Sequence, residues 1–190
     1  MQAPLLTFDD GPSESTAEIL ELLAAHGIKA IFFVIGLRAT QRPDLVERAT
    51  AEGHVVGNHS WDHVRLTGYS DADVTEKLRQ TNDAIEEIIG APPTLFRGPW
   101  FAVDPRVLGL AQRLGLTHMW ADVDTCDYSD LPQHDAEFVA NAILGAEAGQ
   151  IVLFHDGNGD EMGREINPSR AKTVAALRRA LPNFADRWRE

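Results

Sequence analysis

The feature that most constrains this sequence is a regular alternation of short apolar runs with longer amphipathic stretches. The short runs have the length and β-branched content of buried strands: Leu5–Phe8, Ala30–Ile35, Val55–Gly57, Thr94–Phe96, His118–Val123 and Ile151–Phe154. Between them, apolar residues recur with the period of a helix over Ser15–His26, Asp44–Glu52, Asp71–Ile89, Asp104–Leu114, Asp135–Ala148 and Ser169–Leu181. The alternation predicts an α/β fold, either a parallel sheet covered on both faces or a closed barrel.

The ends of these stretches carry matching signals. Ser70, Asp104 and Asp135 suit helix N-caps, and glycines follow the helices where C-caps are expected. We count six strand–helix units, not eight, and Pro182–Glu190 after the last helix is too polar to predict a further strand. A chain of 190 residues without a linker or repeat suits one domain spanning residues 1–190, and a monomer is favoured.

Composition excludes several classes of function. A formal net charge of -12 argues against a nucleic-acid partner, because phosphate binding needs clustered Lys and Arg. No apolar run approaches the roughly 20 residues that a membrane-spanning helix needs. The start, Met1-Gln2-Ala3-Pro4, carries no signal segment, which favours a cytoplasmic protein if the chain is complete and a secreted or cell-surface one if it is a trimmed domain.

Polar clusters follow the apolar runs at their carboxyl ends. They are Thr7-Phe8-Asp9-Asp10-Gly11-Pro12, His59-Ser60-Trp61-Asp62-His63, Arg97-Gly98-Pro99-Trp100, Asp124-Thr125-Cys126-Asp127-Tyr128 and Leu153-Phe154-His155-Asp156. In a barrel of parallel strands, the strand ends meet at one face, so side chains far apart in sequence can surround one reacting atom. Each cluster alone is modest support for a site, and the five together predict one hydrolytic metal site.

His59 and His63 have the i, i+4 spacing that places two imidazoles on one face of a helical turn. Such a pair is more often structural than ligating, but this one directly follows a predicted strand. Asp9 or Asp10 offers a third ligand. Two imidazoles and one carboxylate form an open set that suits Zn²⁺, with Co²⁺ or Ni²⁺ as alternatives.

The adjacent carboxylates Asp9 and Asp10 are expected to play different parts, one holding the ion and the other acting as general base. The plainer interpretation is an ordinary Asp-Asp-Gly-Pro turn with a helix cap at Ser13 or Ser15. Arg97 could pair with the base and keep it ionised. The backbone N–H of Trp100 could serve as an oxyanion donor.

His155 ends the last apolar run, where a histidine is positioned as general acid for a leaving group. Asp124 or Asp127 could orient it and raise its pKa. A satisfied, half-buried histidine is the alternative for an isolated residue. Cys126 is the only cysteine, and we interpret it as a small filler rather than a nucleophile.

These clusters resemble the motifs of the polysaccharide deacetylases, the family-four carbohydrate esterases with a NodB-homology domain, over about Leu5 to Leu181. The first two clusters match the family's first and second motifs, and the other three are similar to the remaining ones. The resemblance implies a distorted, incomplete (β/α) barrel of six or seven parallel strands surrounded by helices. It also implies an acetylated oligo- or polysaccharide as the partner.

The resemblance also implies a role for each matched residue. Asp10, His59 and His63 would hold one divalent metal ion, with Asp9 as base, Arg97 as its tether and His155 as acid, assisted by Asp124; Trp100, Leu153, Tyr128 and Asp127 would contact the substrate. Leu153 would line an acetyl-methyl pocket. The expected reaction is metal-dependent hydrolysis of the acetyl group of N-acetylglucosamine in chitin oligosaccharides or peptidoglycan.

Some residues depart from the family pattern. Trp100-Phe101 replaces the usual Tyr-Gly, Tyr128 replaces the usual Trp, and the loop Gly157–Pro168 is longer than usual. These differences concern the sugar-contacting walls rather than the predicted ligands, acid and base. Two rivals therefore stay open: an O-acetyl esterase acting on acetylxylan with the same residues, and a catalytically idle carbohydrate-binding module on the same fold.

Overall fold

The computed structural model describes residues 3–159 and 169–188. Its strands are β1 (Leu5–Asp9), β2 (Ala30–Val34), β3 (Val55–Asn58), β4 (Leu95–Phe96), β5 (Thr117–His118), β6 (Val123–Asp124) and β7 (Ile151–His155). They form one seven-stranded sheet in the order β5-β4-β3-β2-β1-β7-β6, and every strand pair is parallel. The predicted α/β class with six or seven parallel strands is confirmed.

The helices that cover the sheet are α1 (Glu14–Ala25), α2 (Gly36–Gln41), α3 (Pro43–Ala51), α4 (Asp71–Ile89), α5 (Pro105–Arg113), α6 (Ala136–Gly145) and α7 (Ala171–Arg187), with short 3₁₀ turns at Leu66–Gly68 and Pro99–Phe101. The predicted N-caps Ser70, Asp104 and Asp135 each accept a hydrogen bond from a backbone N–H of the first turn. Within the described ranges, no helix is long and apolar enough to cross a membrane.

The predicted single strand His118–Val123 is wrong in one respect. The extended segment is split into β5 and β6, which lie at opposite edges of the sheet. Its first residues pair with β4, and its last residues pair with β7. A run of apolar residues marks extended backbone but does not reveal a change of pairing partner halfway along it.

This split shows that the sheet is curled. Six strand spacings of about 4.8 Å would separate the edges of a flat sheet by roughly 29 Å. The step from His118 to Val123, however, spans at most about 18 Å of extended chain. The two edges must therefore approach each other across Met119–Asp122, which gives the incomplete barrel that the family resemblance implies.

Alternation along β1 separates the core from the site. Leu6 and Phe8 pack among the helices, and the Phe8 ring stacks on its neighbours Phe32 and Phe154 at 5.0 and 5.3 Å between centroids. Burying side chains of this size stabilises the fold by roughly 1.5–3 kcal/mol each. Thr7 and Asp9 point the other way, as the period of two requires, into the interior of the curled sheet.

Two helices also differ from the sequence predictions. Helix α2 was not predicted, and α7 continues past Leu181 through Pro182 to Arg187. The loop Gly157–Pro168 is described only as far as Gly159, and residues 160–168 lie outside the described part of the chain.

Candidate active site

The strand register brings four of the polar clusters to one level. Asp9 at the end of β1 is paired with His155 at the end of β7, and Asn58 at the end of β3 is paired with Phe96 of β4. The next residues along β3 and β4 are His59 and Arg97. The carboxyl ends of these parallel strands therefore place one carboxylate and two imidazoles around one cleft, with the guanidinium of Arg97 packed against the carboxylate.

Three atoms that could bind a metal ion lie close together at this face. Oδ1 of Asp10 lies 3.2 Å from Nε2 of His59 and 2.9 Å from Nε2 of His63. All three side chains are buried, and their ligand atoms lie within 4.8 Å of one another. In the described residues, this is the one group of three or more His, Cys, Asp or Glu side chains arranged to hold an ion.

The predicted helical turn at His59 and His63 is not present. Ser60 and His63 have positive φ angles of 63° and 55°, so the imidazoles converge through a tight non-helical turn. Asp10 also has a positive φ, 74°, which turns it out of the strand. Asp9 and Asp10 thus reach the same cleft although consecutive strand residues face opposite sides.

The hydrogen bonding of His59 tests whether a cation fits. Its Nδ1 lies 2.8 Å from the carbonyl oxygen of Arg97 and must donate to it, because a carbonyl cannot donate. In the neutral ring, Nε2 then carries a lone pair, and that lone pair faces a carboxylate oxygen of Asp10. Two hydrogen-bond acceptors face each other favourably only with a positive charge between them. These side chains therefore fit as the ligands of a divalent metal ion.

Arg97 holds Asp9 in one orientation. Nη1 of this fully buried arginine donates to Oδ1 of Asp9 at 2.8 Å and to Oγ1 of Thr7 at 2.8 Å. Its remaining groups donate to the carbonyls of Met119 at 3.1 Å and Trp120 at 3.3 Å. A buried ion pair is stable only when such extra bonds satisfy it. Oδ2 of Asp9, 4.0 Å from Nε2 of His59, is thereby left facing the cation site.

His155 is held by Asp127. Nδ1 of His155 lies 2.8 Å from Oδ1 of Asp127, whose Oδ2 accepts from the His155 N–H at 2.9 Å and from the Thr173 hydroxyl at 2.7 Å. Burial lowers the pKa of His155, but the charge and hydrogen bond of Asp127, helped by Asp10 and Asp9, raise it to about 9. The ring is therefore charged at neutral pH, as a proton donor must be.

Asp124 has a different role from the one expected. Its Oδ1 accepts from the Cys126 N–H at 2.8 Å and its Oδ2 from the Tyr128 hydroxyl at 3.0 Å, so it shapes the turn rather than orienting His155. Asp127, which was also expected to contact substrate, is the one of the two candidate aspartates that orients His155. Burial and the charge of Asp124 raise the pKa of the Cys126 thiol, which does not suit a nucleophile.

The cleft has a volume of about 440 Å³. Its lining comprises Asp9, Asp10, His59, His63, Trp100, Phe101, Asp124, Tyr128, Leu153, His155, Asn158, Gly159 and Arg170. The Trp100 ring lies 4.2 Å from the His63 ring between centroids, and Tyr128 meets His155 edge to face at 5.3 Å. Trp100, Leu153 and Tyr128 thus line the walls where substrate contacts were predicted.

Two residues beside the site were given no role from the sequence: Arg38, which was not singled out, and Asp156, which was named only as part of the last cluster. Arg38 is buried and donates to the carbonyl of the ligand Asp10 at 2.6 Å and to that of Asn158 at 3.0 Å. Asp156 donates its N–H to the carbonyl of Asp9 at 3.0 Å, and its carboxylate accepts from the Thr16 hydroxyl at 2.6 Å. Burial raises the pKa of Asp156 to about 7. The sequence features that could have indicated them are a single arginine at the end of an apolar run, for Arg38, and the position directly after His155, for Asp156.

The chain is similar to known proteins in both sequence and fold. The family model described as polysaccharide deacetylase matches residues 2–119. A peptidoglycan-N-acetylglucosamine deacetylase of Listeria monocytogenes is 43% identical over 153 residues, which are 80% of this chain and 32% of that protein. The chain thus spans about a third of the length of that relative.

Two other matches cover most of both proteins. A chitooligosaccharide deacetylase of Sinorhizobium fredii is 38% identical over 186 residues, covering 96% of this chain and 85% of the relative. The structure of a family 4 carbohydrate esterase from Streptomyces lividans, in complex with acetate, superposes with a TM-score of 0.85 at 31% identity. That match covers 98% of this chain and 89% of the other.

Proposed function

This chain belongs to the polysaccharide deacetylase family, and from that premise we propose that it hydrolyses the acetyl groups of N-acetylglucosamine units in a carbohydrate. Chitin oligosaccharides and peptidoglycan are the two substrates in view, because relatives named for each are similar to it. Such an enzyme is a hydrolase of carbon–nitrogen bonds other than peptide bonds.

The observation that carries this proposal is that an oriented carboxylate and a charged imidazole both lie beside one group of potential metal ligands. Asp9 is fixed by Arg97, and His155 is fixed by Asp127. Asp9 and His155 are register partners on β1 and β7, and both line the cleft that contains the ligands. An amide hydrolase needs a proton acceptor for water, a proton donor for the leaving nitrogen, and an electrophile for the carbonyl oxygen.

Asp10, His59 and His63 would hold one divalent ion, for which we propose Zn²⁺ because it favours imidazole and carboxylate ligands. When bound, the ion supplies a Lewis acid that polarises the acetyl carbonyl and activates water. Two imidazoles and one carboxylate leave room for water and substrate. Nδ1 of His59 stays bonded to the Arg97 carbonyl, which fixes the tautomer that a ligand requires.

The side chains divide the proton transfers between them. Oδ2 of Asp9 takes a proton from the attacking water, while Arg97 fixes the orientation of the carboxylate through its hydrogen bond to Oδ1. The N–H of Trp100 is the proposed donor to the developing oxyanion. His155 gives its proton to the departing nitrogen as the carbon–nitrogen bond breaks, which releases acetate and a free amine. Leu153, in the cleft wall, suits the acetyl methyl group.

The test is acetate release from chitooligosaccharides, peptidoglycan and acetylxylan measured side by side. The expected result is release from at least one of the N-acetylated substrates. Release from acetylxylan alone would show an O-acetyl esterase. Binding of the sugars without any acetate release would show an idle carbohydrate-binding module. Either result would contradict the proposal.

Asp9→Asn should reduce kcat by roughly 100-fold or more, the scale of a lost general base. The exposed Asp83→Asn on α4 is the matched control and should keep full activity. Wild-type turnover in Asp9→Asn would remove this carboxylate from the mechanism.

A further inference from the structure

Trp120 lies outside the five motif clusters, yet it is the most exposed large apolar side chain in the described part of the protein, at 54%. It stands in the short segment between β5 and β6, where the two edges of the curled sheet approach each other. An exposed indole removes less apolar area from water than a buried one, so packing of the core does not account for its size.

The exposed indole is held firmly. Its ring is nearly parallel to that of Phe101, with 5.7 Å between centroids and an interplanar angle of 15°. The His118 ring packs against it at 4.4 Å, and the Trp120 carbonyl accepts a hydrogen bond from Arg97. A side chain fixed in this way loses little conformational entropy when a ligand covers it.

Trp120 is also continuous with the cleft. Phe101 lines the cleft, and Trp120 is stacked on Phe101, so the aromatic wall extends from the cleft to the outer surface. A ligand that leaves the cleft along this wall meets the indole. The exposed area of one indole is far below the roughly 1,000 Å² of a stable protein interface, but it matches the face of a single six-membered sugar ring.

We propose that Trp120 forms an outer carbohydrate subsite, where the indole stacks on the apolar C–H face of a neutral pyranose unit in the chain that carries the reacting acetyl group. This inference rests on the proposed function and adds to it a substrate of several sugar units. Aromatic rings bind such faces through dispersion and the burial of apolar area. The net charge of -12 is no obstacle to a neutral chain.

The experiment compares kcat/KM for the acetylated glucosamine dimer and pentamer in the wild type, Trp120→Ala and Trp120→Phe. The ratio of pentamer to dimer should fall roughly five- to thirtyfold in Trp120→Ala, a range similar to other losses of an aromatic stacking partner. Trp120→Phe keeps an aromatic face and should restore most of the ratio. Phe138→Ala removes another exposed aromatic ring, on α6 away from the cleft, and should leave the ratio unchanged.

Binding of the pentamer to Asp9→Asn, measured by calorimetry with and without Trp120→Ala, gives a second readout that does not depend on turnover. The proposal requires a weaker pentamer affinity in the double variant. An unchanged ratio and affinity would overturn the subsite alone. An equal fall in kcat on both substrates would overturn it as well, by showing that Trp120 acts through Arg97. Absence of acetate release by the wild type from every substrate would overturn the proposed function and the subsite together.

Discussion

Replacing Asp127 with Asn tests whether His155 works as a proton donor. Burial by itself lowers the pKa of His155, and Asp127 is the largest of the influences that raise it to about 9. An asparagine of the same shape removes the negative charge. It also cannot accept both hydrogen bonds that His155 now donates, because one oxygen becomes an amide NH₂. The pKa of His155 should therefore fall toward its ordinary value of about 6.5.

The size of the effect follows from the fraction of protonated His155. With a pKa of about 9, roughly nine-tenths of the rings carry the proton at pH 8, whereas with a pKa of about 6.5 only roughly 3% do. At pH 8, kcat/KM should thus drop roughly thirtyfold, while at pH 6 most rings are protonated in both proteins and the drop should be small. A cation held by Asp10 acts on both proteins alike, so the predicted quantity is the difference between them.

The assay is the pH profile of acetate release, together with an NMR titration of the His155 ring. The alkaline limb should move to lower pH in Asp127→Asn. Asp124→Asn is the matched control, because Asp124 bonds to Cys126 and Tyr128 and not to His155, so the limb should stay in place. Coincident alkaline limbs in the wild type and Asp127→Asn would refute this reasoning.

Two further predictions concern the support of the site. Gly11→Ala should lower the free energy of unfolding by roughly 1–3 kcal/mol in chemical denaturation, because a Cβ there would lie 2.0 Å from Oδ2 of the buried Asp156. Gly68→Ala is the control and should leave the stability unchanged, because a Cβ at Gly68 would have nothing within 4 Å. Arg38→Met should weaken metal binding roughly 10- to 100-fold in chelator competition, because the backbone carbonyl of the ligand Asp10 loses its hydrogen bond from Arg38. Equal metal affinities in the wild type and Arg38→Met would show that Arg38 does not position Asp10.

Much of the fold follows from the sequence because apolar periodicity reflects burial. The strands and most of the helices were predicted, and so were the caps at Ser70, Asp104 and Asp135. The division of His118–Val123 between two sheet edges was not, because pairing partners are set by the closure of the sheet. The continuation of α7 through Pro182 was missed because the helix packs on the core with Leu181 and Phe184, and that packing outweighs the local cost of proline.

The residues of the site were predicted more fully than their arrangement in space. Residue types and strand ends indicated His59, His63 and either Asp9 or Asp10 as neighbours, and the family resemblance implied Asp10. The structure brings Asp10 together with both histidines. The pattern of two aspartates around Cys126 could not show which of them reaches His155, since that depends on positive-φ turns such as the one at Cys126, with φ of 53°. A helical turn was inferred from the spacing of the histidines, although tight turns can also bring two such residues together.

The most direct test of the account is a titration of metal-free protein with Zn²⁺ while acetate release and bound metal are both measured. The account predicts no activity without metal and a linear rise that stops at one equivalent. It also predicts that His63→Ala loses both the bound ion and the activity, because His63 supplies one of the three ligands. Full activity in metal-free protein, or an unchanged metal content in His63→Ala, would contradict the central claim.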